Sequence, residues 1–478
     1  MGTPDLLGTY GTYQCFSSRA RKVETEGGGT LKPLVFKNDA ATGSLTGPLN
    51  TLLKQPRDTE IEFRVYRHPQ EAVARIEFQG RTIVLKEGEW SDWQPVTFAL
   101  EMPAFLPDQK VSGICRLYLQ QVHPIFRLYF SPLNIDPTDP GQQRVSEPAE
   151  FVTRIADKLG RFSTLGFQED HKALSNRVFT DEEFHRQAEY VLQERMNLLN
   201  YALAQYETGL LFFYFSSTDL QAHMFWWDTD DKHPTRSPEE ARRYMGVVED
   251  LYRRLDGIVG MMIERYGREA TVLVLSDHGF CNFRRQFHVN TWLRENGYLG
   301  PSDCDGLLAG TTQRPPDWSR TRAYGLGLNG LYLNLKGRER DGIVTTEERE
   351  ALLEELRGKL LQVRDPLDGQ VAIATVDRAD QVYHGAHTDR APDLIIGYRR
   401  GFRCSWASAL GQITPDVFTD NDQAWSADHC MAADELPGVL FCNQALQRTN
   451  PTLIDLAPTI LTAFGITPPV TMTGRSVL

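Results

Sequence analysis

The chain of 478 residues contains no run of about 18 apolar residues, which excludes a membrane-spanning helix. Its N-terminus lacks the basic flank and apolar run of a signal peptide, so a cytoplasmic setting is expected. Cysteine is scarce and scattered: Cys15, Cys115, Cys281, Cys304, Cys404, Cys430 and Cys442 are odd in number and form no C-x-x-C pair. This argues against a disulfide framework and fits a reducing compartment, and Cys281, Cys430 and Cys442, close in sequence to the candidate site, read as small core fillers. Basic residues are outnumbered, 51 against 63 acidic, for a net charge of −12. A chain this acidic has no general attraction to nucleic-acid polymers or anionic membranes. Internal repeats and low-complexity segments are also absent. What remains is an ordinary globular composition, 41% hydrophobic and 24% charged, long enough for two or three domains.

Residues 20–145 read as strands. The stretches Glu60-Ile61-Glu62-Phe63-Arg64-Val65-Tyr66, Ala74-Arg75-Ile76-Glu77-Phe78 and Cys115-Arg116-Leu117-Tyr118-Leu119 alternate polar and apolar residues. That period marks antiparallel sheet with one buried face. Turn residues such as Gly27, Asn38-Asp39, Gly80, Gly88 and Pro107-Asp108 punctuate the section, and an all-β sandwich is expected.

From about residue 150 helices alternate with short apolar runs. Capping boxes at Thr180/Glu183 and Thr345/Glu348 open two helices, and Ser237-Pro238-Glu239-Glu240 opens another. The latter carries an apolar stripe of Val247, Val248, Leu251, Leu255, Ile258, Val259 and Met262. Residues 209–217 and 271–276 read as strands buried on both faces, with further strands at 393–397 and 438–441. Residues 452–464 form a closing helix ended by Gly465. The expected fold class is α/β, a mostly parallel sheet with helices on both faces, carrying an inserted all-β sandwich. The α/β domain takes residues 1–19 and 146–478; the insertion takes 20–145.

Ligands of open α/β sheets bind beyond the carboxyl ends of the strands. After residues 209–217 come Asp219 and His223, four apart, so a helix there puts both on one face. After 271–276 come Asp277 and His278, followed by Gly279, which permits a close approach. Just before 438–441 sit Asp428 and His429. Each alone reads as a solvated pair, a loop or a surface histidine; together, each at a strand edge, they read as metal ligands. Mixed carboxylate and imidazole donors suit zinc, manganese or iron better than magnesium.

This order, Asp-x-x-x-His, then Ser-Asp-His-Gly, then a late Asp-His, resembles the alkaline phosphatase superfamily and, within it, the type I phosphodiesterase and nucleotide pyrophosphatase branch. The stretch at residues 327–339, Arg390-Ala391-Pro392-Asp393-Leu394 and Leu456-Ala457-Pro458-Thr459-Ile460 support it. The resemblance covers about residues 150–478 and the first fifteen or so. It implies two divalent metal ions, zinc foremost: one held by Asp219, His223 and His429, the other by Asp277 and His278 with an early Asp and a nucleophilic Thr or Ser. Those last two are expected upstream of Met1, so the catalytic nucleophile is not assigned within this chain. The implied activity is hydrolysis of a phosphate-ester small molecule, a phosphodiester or nucleotide pyrophosphate, by in-line displacement through a covalent phospho-enzyme. The same metal logic serves sulfate esters and phosphonates. A cofactor-independent phosphoglycerate mutase, also a superfamily member, carries an α/β insertion instead of an all-β one.

Other residues have weaker claims. His384 and His387 fit a substrate rim or a purely structural role, and His288 fits a position behind the ligands or a satisfied core histidine. Arg284 and Arg285 read as a solvated charge pair before they read as phosphate contacts. Trp226, Trp227 and Trp425 flank the ligands and read first as core packing. Two alternatives stand beside hydrolysis: a non-catalytic metal-binding member of the same fold, and a ligand-binding protein acting through Trp90, Trp93, Tyr118 and Tyr129 of the β insertion.

Overall fold

A computed structural model describes residues 2–19, 23–24, 28–102, 106–234, 238–300 and 316–478; Gly27, Ser237 and Cys304 lie outside them. The chain divides into two compact units, Met1–Leu220 and Gln221–Leu478. Both mix helices with sheets, and antiparallel pairing predominates. Among the described residues no helix is long and apolar enough to cross a membrane.

The first unit is built around antiparallel sheets. Arg57–Arg67 lies between Ala40–Asn50 and Val73–Phe78, with Arg81–Lys86 beyond. Thr59, Ile61, Phe63 and Val65 are buried while Asp58, Glu60, Glu62 and Arg64 face solvent, which is the alternation a half-buried strand requires. A six-stranded sheet includes Gln14–Ser17, paired antiparallel with Arg127–Phe130 and parallel with Thr30–Pro33. The inner faces share one core: Phe16 and Phe63 meet edge-on at 4.8 Å, and Phe63 lies 5.1 Å from Phe130. This is sheet-on-sheet packing. Helix Phe151–Leu159 closes the core through Val152, Ile155 and Ala156.

Helix Asp181–Gln205 begins at the expected capping box, Thr180 Oγ1 accepting from Glu183 N. Of the β-section aromatics, Tyr118 and Tyr129 are buried, while Trp90 and Trp93 are half-buried. Trp90 stacks on Tyr118 at 4.6 Å, Tyr129 is fully buried with its hydroxyl on Asp170, and Trp93 donates to Glu194 of the helix. All four make contacts within the first unit.

In the second unit, Cys281–Phe287 is the organising strand. It pairs in parallel with Gly401–Cys404, and antiparallel with Phe418–Asp420 and with Ala427–Asp428. A second four-stranded sheet orders Ala323–Gly325, Gly330–Leu333, Leu394–Tyr398 and Ile373–Arg378, all antiparallel. Helix Thr346–Leu360 covers the shared core with Leu352, Leu353, Leu356 and Leu360, and starts at the Thr345/Glu348 capping box. Near the end of the chain, helix Leu456–Ala463 is followed by Gly465 at φ +71°, the left-handed stop that the sequence predicts.

Four expectations change. Among the described residues the ladders are mostly antiparallel; only Gln14–Ser17 with Thr30–Pro33 and Cys281–Phe287 with Gly401–Cys404 run parallel as paired strands. Residues 210–215 form no strand, and Leu210, Phe212 and Tyr214 are exposed, because among the described residues no strand pairs with the run. Leu273–Leu275 is a strand, but among the described residues it pairs only with Leu440–Cys442, and it is half-buried rather than enclosed. The helix expected from Pro238 is two helices, Pro238–Tyr244 and Val247–Tyr266, broken where Gly246 takes φ +95°. Of its apolar stripe, Val248 and Leu251 are fully buried.

Candidate metal centre

Helix Ser217–Phe225 carries Asp219 in its first turn and His223 one turn later. The boundary between the units falls just past Asp219, inside this single helix, so the pair is held by one continuous backbone. His223 is buried, and its Nδ1 lies 2.7 Å from the Ala427 carbonyl. A carbonyl only accepts, so Nδ1 carries the proton and Nε2 the lone pair, the tautomer a ligating histidine needs. The ring is clamped further, stacked on Trp425 at 3.6 Å and edge-on to Phe280 at 4.7 Å.

His429 follows the short strand Ala427–Asp428, which pairs with the start of Cys281–Phe287. That pairing brings a late residue back to the helix. The rings of His223 and His429 are 5.1 Å apart, and Asp219, His223 and His429 each offer a ligand atom within 4.8 Å of the others. Burial and the neighbouring His278 hold the His429 imidazole below its ordinary pKa, against the pull of Asp428 and Asp277.

Asp277 and His278 follow strand Leu273–Leu275. Gly279 lets this loop pack on the backbone of residues 436–438: a Cβ there would stand 2.7 Å from the Pro437 carbonyl. Gly438 answers from the other side, where a Cβ would meet the Ser276 carbonyl at 3.0 Å. Asp277 is exposed; its carboxylate is 3.5 Å from His278 Nε2. His278 Nδ1 faces the Gly279 carbonyl at 3.1 Å, so His278 also presents its lone pair on Nε2. The ring stacks on His429 at 3.7 Å. Among the described residues, no group of three potential ligands includes Asp277 or His278.

The other candidates lie elsewhere or are already engaged. His384 and His387 are exposed in the loop before Thr388–Arg390 and, among the described residues, join no group of three potential ligands. His288 is buried at the end of Cys281–Phe287, its Nε2 3.0 Å from Thr419 Oγ1, with burial pushing its pKa down to about 4. Arg284 is paired with buried Asp230, while Arg285 holds buried Asp365 and exposed Asp420. Both guanidinium groups are engaged in ion pairs with these carboxylates. Trp226 stacks on Phe280, Trp227 is buried, and Trp425 is the ring under His223.

Sequence reasoning passed over Arg403. It is 1% exposed and lies 2.8 Å from Asp428. Burial pushes the Asp428 carboxyl up, but Arg403 and nearby donors hold it below the usual carboxylate range. Nothing local to residue 403 marks it; the signal was the Asp immediately before His429.

A search of curated proteins finds no match to the chain. The family model for type I phosphodiesterase / nucleotide pyrophosphatase matches residues 142–409. The matched span takes in Asp219, His223, Asp277 and His278 and ends before His429. With more than half of its length matched, the chain belongs to the type I phosphodiesterase / nucleotide pyrophosphatase family.

Proposed function

We propose that this protein is a metal-dependent hydrolase of phosphate esters, acting on phosphodiester or nucleotide pyrophosphate bonds of a small molecule. The convergence of Asp219, His223 and His429 in a chain of this family carries the reading. The donors fit the group: one carboxylate and two imidazoles, one of them with its tautomer set by a backbone carbonyl, suit zinc, with manganese or iron as alternatives. Asp277 and His278 would hold a second ion. When bound, such cations neutralise charge on the phosphoryl oxygens and lower the pKa of an attacking hydroxyl or water.

The protein's own part is positioning. Trp425 and Phe280 fix the His223 ring, and the Ala427 carbonyl sets its proton. The Gly279–Gly438 approach seats Asp277 and His278 close to His429. Asp277 is reachable from solvent, its side chain 63% exposed. In this reading residues 1–19 and 146–478 form the hydrolase domain and 20–145 an insertion; a family match starting at residue 142 supports that division.

The test is metal content and turnover of the full chain. Reconstitution with zinc or manganese should load about one equivalent or more, and a nitrophenyl phosphodiester should be cleaved. Retention of less than about a tenth of an equivalent would overturn the reading.

One observation favours a second reading, a metal-binding member without turnover. Asp277 and His278 join no third ligand group among the described residues. Metal loading without any diester cleavage would support it; cleavage abolished by Asp277→Ala would exclude it.

A further inference from the structure

Asp428 adjoins His429, yet both of its carboxylate oxygens are engaged away from that ring. Oδ1 accepts from the backbone N–H of His429 at 2.7 Å and of Cys430 at 2.9 Å. Oδ2 accepts from Trp425 Nε1 at 2.7 Å and faces Arg403 Nε at 2.8 Å. Both members of that ion pair are 1% exposed. A buried carboxylate is costly unless paired, and Arg403 supplies the pairing. Arg403 is itself held in place, its guanidinium 4.0 Å from the Trp406 ring and 5.0 Å from Phe283.

Trp425 has two functions. Its indole N–H points to Asp428, while its ring stacks on His223. The next two residues also hold His223: Ser426 donates to its carbonyl through N and Oγ, and Ala427 accepts from its Nδ1. One short segment therefore grips both histidines, and Asp428 is the polar centre of that segment.

We propose that Asp428, neutralised by Arg403, is a positioning residue for both histidines: it sets His429 through the backbone and His223 through Trp425, and is not itself a metal ligand. This rests on the reading of Asp219, His223 and His429 as ligands. The competing arrangement is Asp428, His429 and Cys430 as a ligand set, since their donor atoms also lie within 4.8 Å of one another. It would require Asp428 to give up hydrogen bonds and an ion pair already formed in a buried place, which is unfavourable.

The test uses the full chain and zinc affinity by chelator competition, with the visible spectrum of the cobalt-substituted protein as a readout of ligand geometry. Trp425→Leu removes both the indole donor and the stacked ring, and should weaken zinc binding about 10–100-fold and shift the cobalt bands. Trp425→Phe restores the stack and should recover part of that loss. Asp428→Asn should fall in the same 10–100-fold range. Melting of the metal-free proteins separates misfolding from mispositioning, and Trp425→Phe keeps the question open to measurement if Asp428→Asn does not fold. The proposal is overturned if Trp425→Leu and Asp428→Asn bind zinc like the parent, or if Asp428→Asn loses zinc while Trp425→Leu keeps full affinity and an unchanged spectrum, the signature of a ligand. His429→Ala distinguishes the deeper failure: if the parent and His429→Ala bind zinc equally, the ligand reading falls and this proposal falls with it.

Discussion

The imidazole rings of His278 and His429 lie 3.7 Å apart and 14° from parallel. One follows strand Leu273–Leu275 and the other follows Ala427–Asp428, so the stack joins the two proposed metal sites. Burial and the adjacent His278 ring hold the His429 imidazole below its ordinary pKa, which favours its neutral, ligating form.

Because the sites share that wall, His278→Ala should lower affinity for both metals, whereas Asp277→Asn should lower it mainly for one. Asp277 is exposed, and its replacement should change folding stability by no more than about 0.5 kcal/mol. Metal equivalents by mass spectrometry and a denaturation midpoint check this. Unchanged metal content in both variants would refute the assignment.

Gly279→Ala should disturb the site without removing any donor. The added Cβ would stand 2.7 Å from the Pro437 carbonyl, a backbone atom that cannot swing aside. The Asp277–His278 loop must then move off residues 436–438. The expected result is weaker metal binding with folding stability reduced by about 1–3 kcal/mol, typical of overpacking. A variant with parental affinity would show that the loop accommodates the methyl group.

Arg285→Met should damage stability and leave metal binding alone. Asp365 is fully buried, and Arg285 Nε lies 2.6 Å from it. Stranding a buried carboxylate costs on the order of 3 kcal/mol or more. Chemical denaturation should show the loss, and chelator competition should show parental zinc affinity. The opposite pattern would return Arg285 to the site.

His288 should make stability depend on pH on the acid side. Burial pushes its pKa down from 6.5 to about 4, with Asp416 only partly opposing. The unfolded chain therefore takes up the proton first. The contribution is fully present above about pH 6.5 and is lost as pH falls toward 4. His288→Gln should flatten the melting temperature across that window. An equally steep fall in the variant would assign the dependence to other groups.

Much of the local structure was legible. Thr180 and Thr345 signal helix starts because a capping box needs only residues three apart. The alternation in Arg57–Arg67 predicts its buried face because side chains of a strand point to opposite sides. Asp219 and His223 share a helix face for the same kind of reason. The run at 210–215 was misread because an apolar sequence states what it prefers, not whether a strand lies beside it. The break at Gly246 was visible as a glycine, but not as a left-handed one.

The sequence by itself determined the donor types, the i, i+4 pair, the glycine beside Asp277 and His278, and the capping residues, all of which act within a few positions along the chain. Only the tertiary structure decided that Arg403 pairs with Asp428, that Arg284 and Arg285 are tied to Asp230 and Asp365, and that His278 lies on His429. The physical reason is range. A charge or a ring takes whichever partner the packing brings within a few ångströms, and in this protein those partners lie far away in sequence.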